Sequence, residues 1–449
     1  MKVIIPNNNL NERRYIIDII LNEFLGLEFE VLIGNDKFSN WVIELTNGKQ
    51  LTIQDHFFNQ YSKDLEYLNI QSIPNSIQLV KNDFIVENDI PIIFGNSTLK
   101  IENLTLTCGI DIFASSFFML TRWEEYVDKT RDEHERFAST SSLAFKHDFL
   151  DRPVVNEYIE MLWNMLTHLG IEQQRKKREY NLIPTHDVDF PLRYFSTKKV
   201  IKEIARDLVK NKQYKEAILK VKEYSSIKLG LSSDPYDTFD YMINTERKVG
   251  LKSYFFFMGE GTSPMYDDNY DMNDKYIQKL IKKITNAGHK VGIHPSYFTY
   301  NDKNQMQKEK ENIEKSTNIK IKYGRQHYLR FEVPTTWQNW EDNNMVWDST
   351  LSYADREGFR CGVCYEYSVF NILTRTKLKL KEKPLIMMEG SFVTYQPNIT
   401  PKEMMIKINN LINRVKKYQG EFVFLWHNSC FLDKDNKRVY EKIILKGTP

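Results

Sequence analysis

The chain has 449 residues, 41% of them hydrophobic and 13% aromatic, which is ample for burial and excludes disorder over most of its length. Lysine plus arginine (62) nearly balances aspartate plus glutamate (60), for a formal net charge of +2. No overall basic field therefore argues for nucleic acid or an anionic membrane as the main partner. At roughly 150 residues per domain, the length predicts two or three domains, and two are expected.

The opening MKVIIPNNNLNERRYIIDII lacks the basic start, apolar core and small-residue cleavage site of a secretory signal, so a cytoplasmic protein is expected. From residue 1 to about 150, short strand-like runs (VIIP, FEVLIG, WVIEL, KQLTIQ, IPIIFG, STLKIENLTL) predict a small α+β domain. The apolar stretch 110–120 contains an aspartate and falls far short of the roughly 20 residues a membrane span needs, so no transmembrane helix is expected. Residues 110–126 and 153–169 predict two amphipathic helices, the second with Pro153 at its first helical position. The charge-rich EQQRKKREY at 172–180 ends this bridge and sets a boundary near 175, giving domains 1–175 and 176–449.

Beyond the boundary, strand and helix signals alternate. NLIPTHDV (181–188) reads as an apolar strand, and the lysine-rich 198–224 as a solvated amphipathic helix. A helix at 236–249 precedes YFFFMG, one at 273–287 precedes KVGIHP, PLIMMEG precedes a helix at 401–418, and EFVFLWHNS closes the series. Such alternation predicts parallel strands joined by crossover helices, in an open sheet or a barrel, with functional groups at the C-terminal strand ends. Neither a phosphate-cradling glycine loop nor a GxSxG nucleophile elbow occurs, which argues against nucleotide-dependent and serine-nucleophile chemistry. The four cysteines (Cys108, Cys361, Cys364, Cys430) fit a reducing compartment, and the lone CGVC pair reads as incidental.

Three strand ends carry metal-capable or acid–base residues. Asp187 and Asp189 are two apart and share a strand face, where a cation or proton can split their roles into ligand and base. Taken alone, a DxD more often caps a turn. His294 ends KVGIHP, while His289, at odd spacing, faces the other side. An imidazole beside carboxylates suits zinc or another first-row divalent ion. His427 follows EFVFLW and is placed to donate a proton to a leaving group; a structural histidine bonded to backbone is the competing reading.

The order THDVD, AGHKVGIHPSY, GRQHYLRFEVPTTW, WDSTLSYADREGFRCG, FLWHNS over about 180–440 resembles the motif series of polysaccharide deacetylases, the carbohydrate esterase family four group. DIFASSFFMLTRWEEY and LDRPVVNEYIEMLW resemble the N-terminal region of a branch found with bacterial surface-polysaccharide genes. The resemblance implies a distorted (β/α) barrel catalytic domain preceded by a smaller α+β domain. It implies Asp187 as general base, Asp189 and His294 as metal ligands, and His427 as general acid. Either Arg325 or Arg330 would orient the base, and Asp348 or Asp355 would hold His427. The implied substrate is an acetylated sugar or polysaccharide precursor, and the implied cofactor a divalent metal, zinc foremost.

One departure stands out: Phe298 occupies the position four residues after His294 where the family's second metal histidine belongs. His327 in GRQHYLR is the favoured replacement, with Ser296 or water, or loss of the metal, as alternatives. Tyr297, Tyr328, Trp337 and Trp426 stack on sugar rings or belong to the core. Hydrolysis of non-sugar C–N bonds and a metal-free glycan-binding scaffold are the competing functions.

Overall fold

The run Asn181–Val188 shows no alternation of polar and apolar residues, as a strand covered on both faces requires, and it is buried from Pro184 onward. The computed structural model describes residues 1–35, 38–267 and 270–448 and places this strand in the interior of a nine-stranded sheet, third from one edge. Tyr254–Phe257 and Glu421–Leu425 flank it in parallel. Lys290–Ile293, Tyr323–Gly324, Trp347–Asp348 and Thr376–Glu382 continue the parallel order on one side, and Met387–Met388 on the other. Only the edge strand Tyr367–Asn371 runs antiparallel. Thr376–Glu382 and Met387–Met388 lie far apart in this order yet belong to one stretch of chain. Between them Lys383 donates its N–H to Asp348 O (2.7 Å) and Ile386 its N–H to Val423 O (3.0 Å).

Gly324 lets its strand approach closely, since a Cβ there would lie 1.9 Å from Ile293 O. The following Arg325 can then donate its N–H to that same carbonyl at 3.1 Å. The crossover helices are set by ordinary end signals. Asp274 caps Lys275–Asn286, and Thr400 with Glu403 forms a capping box at Pro401–Lys417.

Residues 2–110 supply a second, mixed sheet ordered Glu30–Ile33, Lys2–Ile5, Asn40–Glu44, Gln50–Gln54, Thr105–Ile110, Gly95–Ile101. The expected helix over 110–126 is two helices, Ile112–Thr121 and Trp123–Val127. Arg122 between them takes a left-handed conformation (φ 54°), its guanidinium held by Glu124 and Glu125. Pro153 is the cap of helix Val154–His168 rather than its first residue. Likewise 198–224 is not one helix but a pair, Thr197–Val209 and Tyr214–Lys228, packed chiefly on each other. The two sheets share one hydrophobic core, with Tyr367 Oη donating to Leu120 O (2.8 Å) and Tyr15 Oη to Ser368 O (3.0 Å). Among the described residues, no helix is long and apolar enough to cross a membrane.

Candidate active site

Five strands of the parallel sheet end in chemically capable residues. Val188 runs into Asp189, Ile293 into His294, Gly324 into Arg325 and His327, Met388 into Glu389, and Leu425 leads by two residues to His427. Strand alternation turns His186, one residue before Asp187, to the far side. There it bonds Glu246 and Trp426 O, each at 2.7 Å. His289 joins the same buried network through Ser253, while His294 faces the site.

Asp189 is the hub. Its Oδ1 lies 3.1 Å from His294 Nε2 and 3.6 Å from His327 Nε2, and its Oδ2 lies 3.4 Å from His427 Nε2. His294 Nδ1 sits 2.6 Å from Arg325 O, an acceptor only, so Nδ1 carries the hydrogen. His327 Nδ1 is held the same way by the Asp267 carboxylate at 2.8 Å. Asp267 is itself fixed by the N–H groups of Thr262, Ser263 and Tyr297. Burial pushes its pKa up, but His327, aided by the Ser263 and Tyr297 N–H groups, holds it below the ordinary value. With both rings neutral, as metal binding requires, both Nε2 atoms present lone pairs toward Asp189 Oδ1, a buried oxygen with no hydrogen-bond partner. Three electron-rich atoms facing one another call for a shared cation. The Asp189, His294 and His327 donors all lie within 4.8 Å of one another. Nitrogen and oxygen bonds of about 2.0–2.2 Å to a divalent metal put donors roughly 3–4 Å apart, as the 3.1 and 3.6 Å separations from Asp189 Oδ1 are, and each imidazole has the outer partner that metal-bound histidines use. The residues fit a metal. Burial favours neutral Asp189, yet His327, His294 and His427 outweigh it and hold the acid well below the usual carboxylate range.

Asp187 is buried beside this centre. Its Oδ1 accepts from Arg325 Nη1 at 3.0 Å and its Oδ2 lies 3.8 Å from His294 Nδ1. Arg325 is locked in turn, donating through Nε to Ser349 O (2.8 Å) and through Nη2 to Ser349 Oγ (3.1 Å). Arg330 is not in this position. It donates to Tyr297 O and His134 O, pairs with Glu135, and is sandwiched by the rings of Tyr297 and Tyr300.

His427 meets neither Asp348 nor Asp355. Its partner is Glu389, a fully buried carboxylate whose Oε1 lies 2.5 Å from Nδ1 and also accepts the His427 N–H at 3.0 Å. Burial favours the neutral ring, but Glu389 and Asp189 hold the His427 pKa well above its ordinary value. Asp348 instead accepts from Thr350 N and Oγ1, and Asp355 from Ser139 Oγ. Glu389 was not singled out because it lies in the strand-like PLIMMEG, without a second polar residue to mark it.

A cavity of about 320 Å³ covers these groups, walled by Tyr266, Tyr328, Tyr395, Met388 and Arg136. Of the four aromatic residues read as sugar-stacking or core, Tyr328 lines it; Trp337 and Trp426 are core, and Tyr297 packs against Tyr266. Ser296 belongs to a network around Glu309, and Phe298 is a half-exposed residue outside the ligand cluster. Arg136 was invisible to motif reading: it comes from the N-terminal region, donating to Tyr328 O (3.0 Å) and Tyr395 Oη (3.3 Å).

Residues 1–171 match a sequence family described as a family of unknown function, DUF7033. No curated protein matches this sequence. Among solved structures, a candidate polysaccharide deacetylase from Mycobacterium smegmatis is similar at 12% identity and a TM-score of 0.40, over 60% of this chain and 84% of that one. A CE4-family pseudoenzyme from Bacillus anthracis is similar at 14% identity and a TM-score of 0.30, over 61% of each chain. A family 4 carbohydrate esterase from Streptomyces lividans, in complex with acetate, is similar at 13% identity and a TM-score of 0.27, over 48% of this chain and 84% of that one. Likenesses this weak do not fix a family, and the chemistry rests on the residues themselves.

Proposed function

We propose that this chain is a divalent-metal-dependent hydrolase that removes an acetyl or similar acyl group from an amino sugar or polysaccharide precursor. The observation that carries the reading is the buried, unpartnered Asp189 Oδ1 facing two histidines whose Nδ1 positions are already engaged. Asp189, His294 and His327 would hold the metal. When bound, it supplies Lewis acidity toward the acyl carbonyl and lowers the pKa of a water.

The remaining residues divide the proton transfers. Asp187, kept in place by Arg325, accepts a proton from the attacking water. His427, on the other flank of Asp189 and oriented by Glu389, donates from Nε2 to the departing amine or hydroxyl. Acetate and the free sugar amine or alcohol result. The tyrosines of the cavity offer rings to a pyranose, and its modest volume suits one acylated sugar unit. In this reading the sheet closes as a distorted barrel, through the 383–386 link that bonds both Asp348 and Val423, and 1–175 forms the separate N-terminal domain.

Acetate release from N- and O-acetylated amino sugars, with and without a chelator, tests the reading. Release that a chelator abolishes and zinc restores is expected. Acetate release unaffected by exhaustive chelation, or none from any acylated sugar with metal bound, overturns it.

A further inference from the structure

The pair Thr197–Val209 and Tyr214–Lys228 breaks the usual rule of apolar burial. Of residues 197–231, only Val200, Asp207 and Ala217 are buried. Ile201, Val209, Ile218, Leu219, Leu229 and Leu231 are each more than half exposed. In each helix the exposed apolar residues recur at helical spacing, Ile201 with Leu208 and Tyr214 with Ile218 and Val221, so they form stripes rather than scattered sites.

The same segment concentrates charge. Between 197 and 231 stand ten lysines and arginines against four aspartates and glutamates, a local net of +6 in a chain whose total is +2. The near-neutral total thus conceals a basic surface offset by an acidic remainder. Lys220 pairs with Asp207 and joins the two helices, and the exposed lysines 202, 210, 215 and 222 are spread over both.

Apolar stripes bordered by lysine are the composition of an element that lies in the plane of a bilayer interface. The aliphatic residues enter the acyl boundary while the ammonium groups meet anionic headgroups. We propose that residues 197–231 are a docking surface for an anionic lipid membrane. A second copy of the chain is a poor occupant, because two +6 faces repel. Duplex nucleic acid would leave the apolar stripes wet.

The surface is joined to the candidate site by the chain itself. Phe190, directly after Asp189, lines the cavity and is 44% exposed, and the first helix of the pair begins at Thr197. The Asp234 carboxylate ties the returning chain to the N–H groups of Arg193 (2.9 Å) and Tyr194 (3.0 Å). Docking therefore anchors the segment that leads into the cavity wall. Together with the hydrolase reading, this favours an acylated sugar carried on a lipid; the docking itself does not depend on that reading.

The test is co-sedimentation of the full chain with vesicles of phosphatidylcholine alone or with about one-third phosphatidylglycerol. Partition at least about tenfold stronger onto the anionic vesicles, weakened by salt, is expected. A charge variant, Lys215→Glu with Lys222→Glu, and an apolar variant, Ile218→Glu with Leu219→Glu, should each abolish it. Both alter exposed positions, and unchanged thermal unfolding confirms that they fold. Lack of binding to either vesicle, equal binding to both, or a dimer that Ile218→Glu with Leu219→Glu dissolves in the absence of lipid overturns the proposal. Hydrolysis of a soluble acylated sugar should be the same in all variants, so membrane docking and the hydrolase reading fail separately.

Discussion

Two pairs of carboxylates sit at strand ends of the same sheet, and Asp189 of one pair is shifted in the opposite direction to both members of the other. Asp187 and Asp189 face Arg325 and three histidines, and Asp189 is pulled well below the usual carboxylate range. Asp348 and Glu382, cross-strand partners on Trp347–Asp348 and Thr376–Glu382, meet mainly neutral donors: Thr350, Trp337 Nε1 and Leu351 N. Burial then prevails. Asp348 is pushed up to about 7, and Glu382 is driven well above its ordinary value. Desolvation opposes ionisation at Asp189, Asp348 and Glu382 alike, so the charge of the partners decides whether such a carboxylate is an ionised ligand or a protonated structural group.

Breaking the first pair should have the largest effect. Asp187→Asn keeps the shape and the Arg325 contact but removes the proton acceptor. The expected loss of kcat is about a thousandfold, within the 10²–10⁴ range of general-base removal, with metal content unchanged. Steady-state acetate release with elemental analysis of the same sample checks both halves.

Glu389→Gln sharpens the comparison at the acid. Its Oε1 can still accept from His427, but the negative charge is gone. Because Glu389 raises the His427 pKa, its removal lets the ring lose its proton at lower pH. The alkaline limb of the pH–rate profile should move to lower pH, with activity at neutrality down roughly 10–100-fold. An unmoved limb would remove His427 from the acid role.

Asp348→Asn should do least to catalysis, within about threefold, and should show itself in stability instead. Asp348 Oδ2 has no hydrogen-bond partner, so an amide fits where the protonated acid stands. A raised folded-state pKa gives stability that is present below the unfolded value near 3.8 and is lost as pH rises through about 7. The variant should lack that loss, gaining on wild type by on the order of 2–4 kcal/mol between acid pH and pH 8, as read by denaturant titration.

Much of this was legible in the sequence where a feature is local. The strand over 181–188 is continuous and apolar, and His294 and His289 diverge because five residues is odd on a strand. What was hidden depends on contacts between distant segments. Arg325 and Arg330 are indistinguishable in GRQHYLR until the fold puts one on Asp187 and wraps the other in tyrosines. Glu389 and Arg136 reach the site by tertiary packing, far from any histidine motif in sequence. The two-residue strands Tyr323–Gly324, Trp347–Asp348 and Met387–Met388 are too short for periodicity to mark. The lysine-rich 198–224 shows helical spacing, yet spacing alone cannot say that its apolar face stays uncovered.

The central claim is that Asp189, His294 and His327 hold one divalent cation. Zinc titration of the metal-stripped chain by calorimetry, beside His327→Ala, tests it most directly. One equivalent bound by wild type, with affinity falling more than about a hundredfold in the variant, is the predicted result and exceeds the 10–100-fold expected of an outer-shell partner. Failure of the wild-type chain to bind zinc or any other divalent ion, or undiminished affinity in His327→Ala, would contradict it.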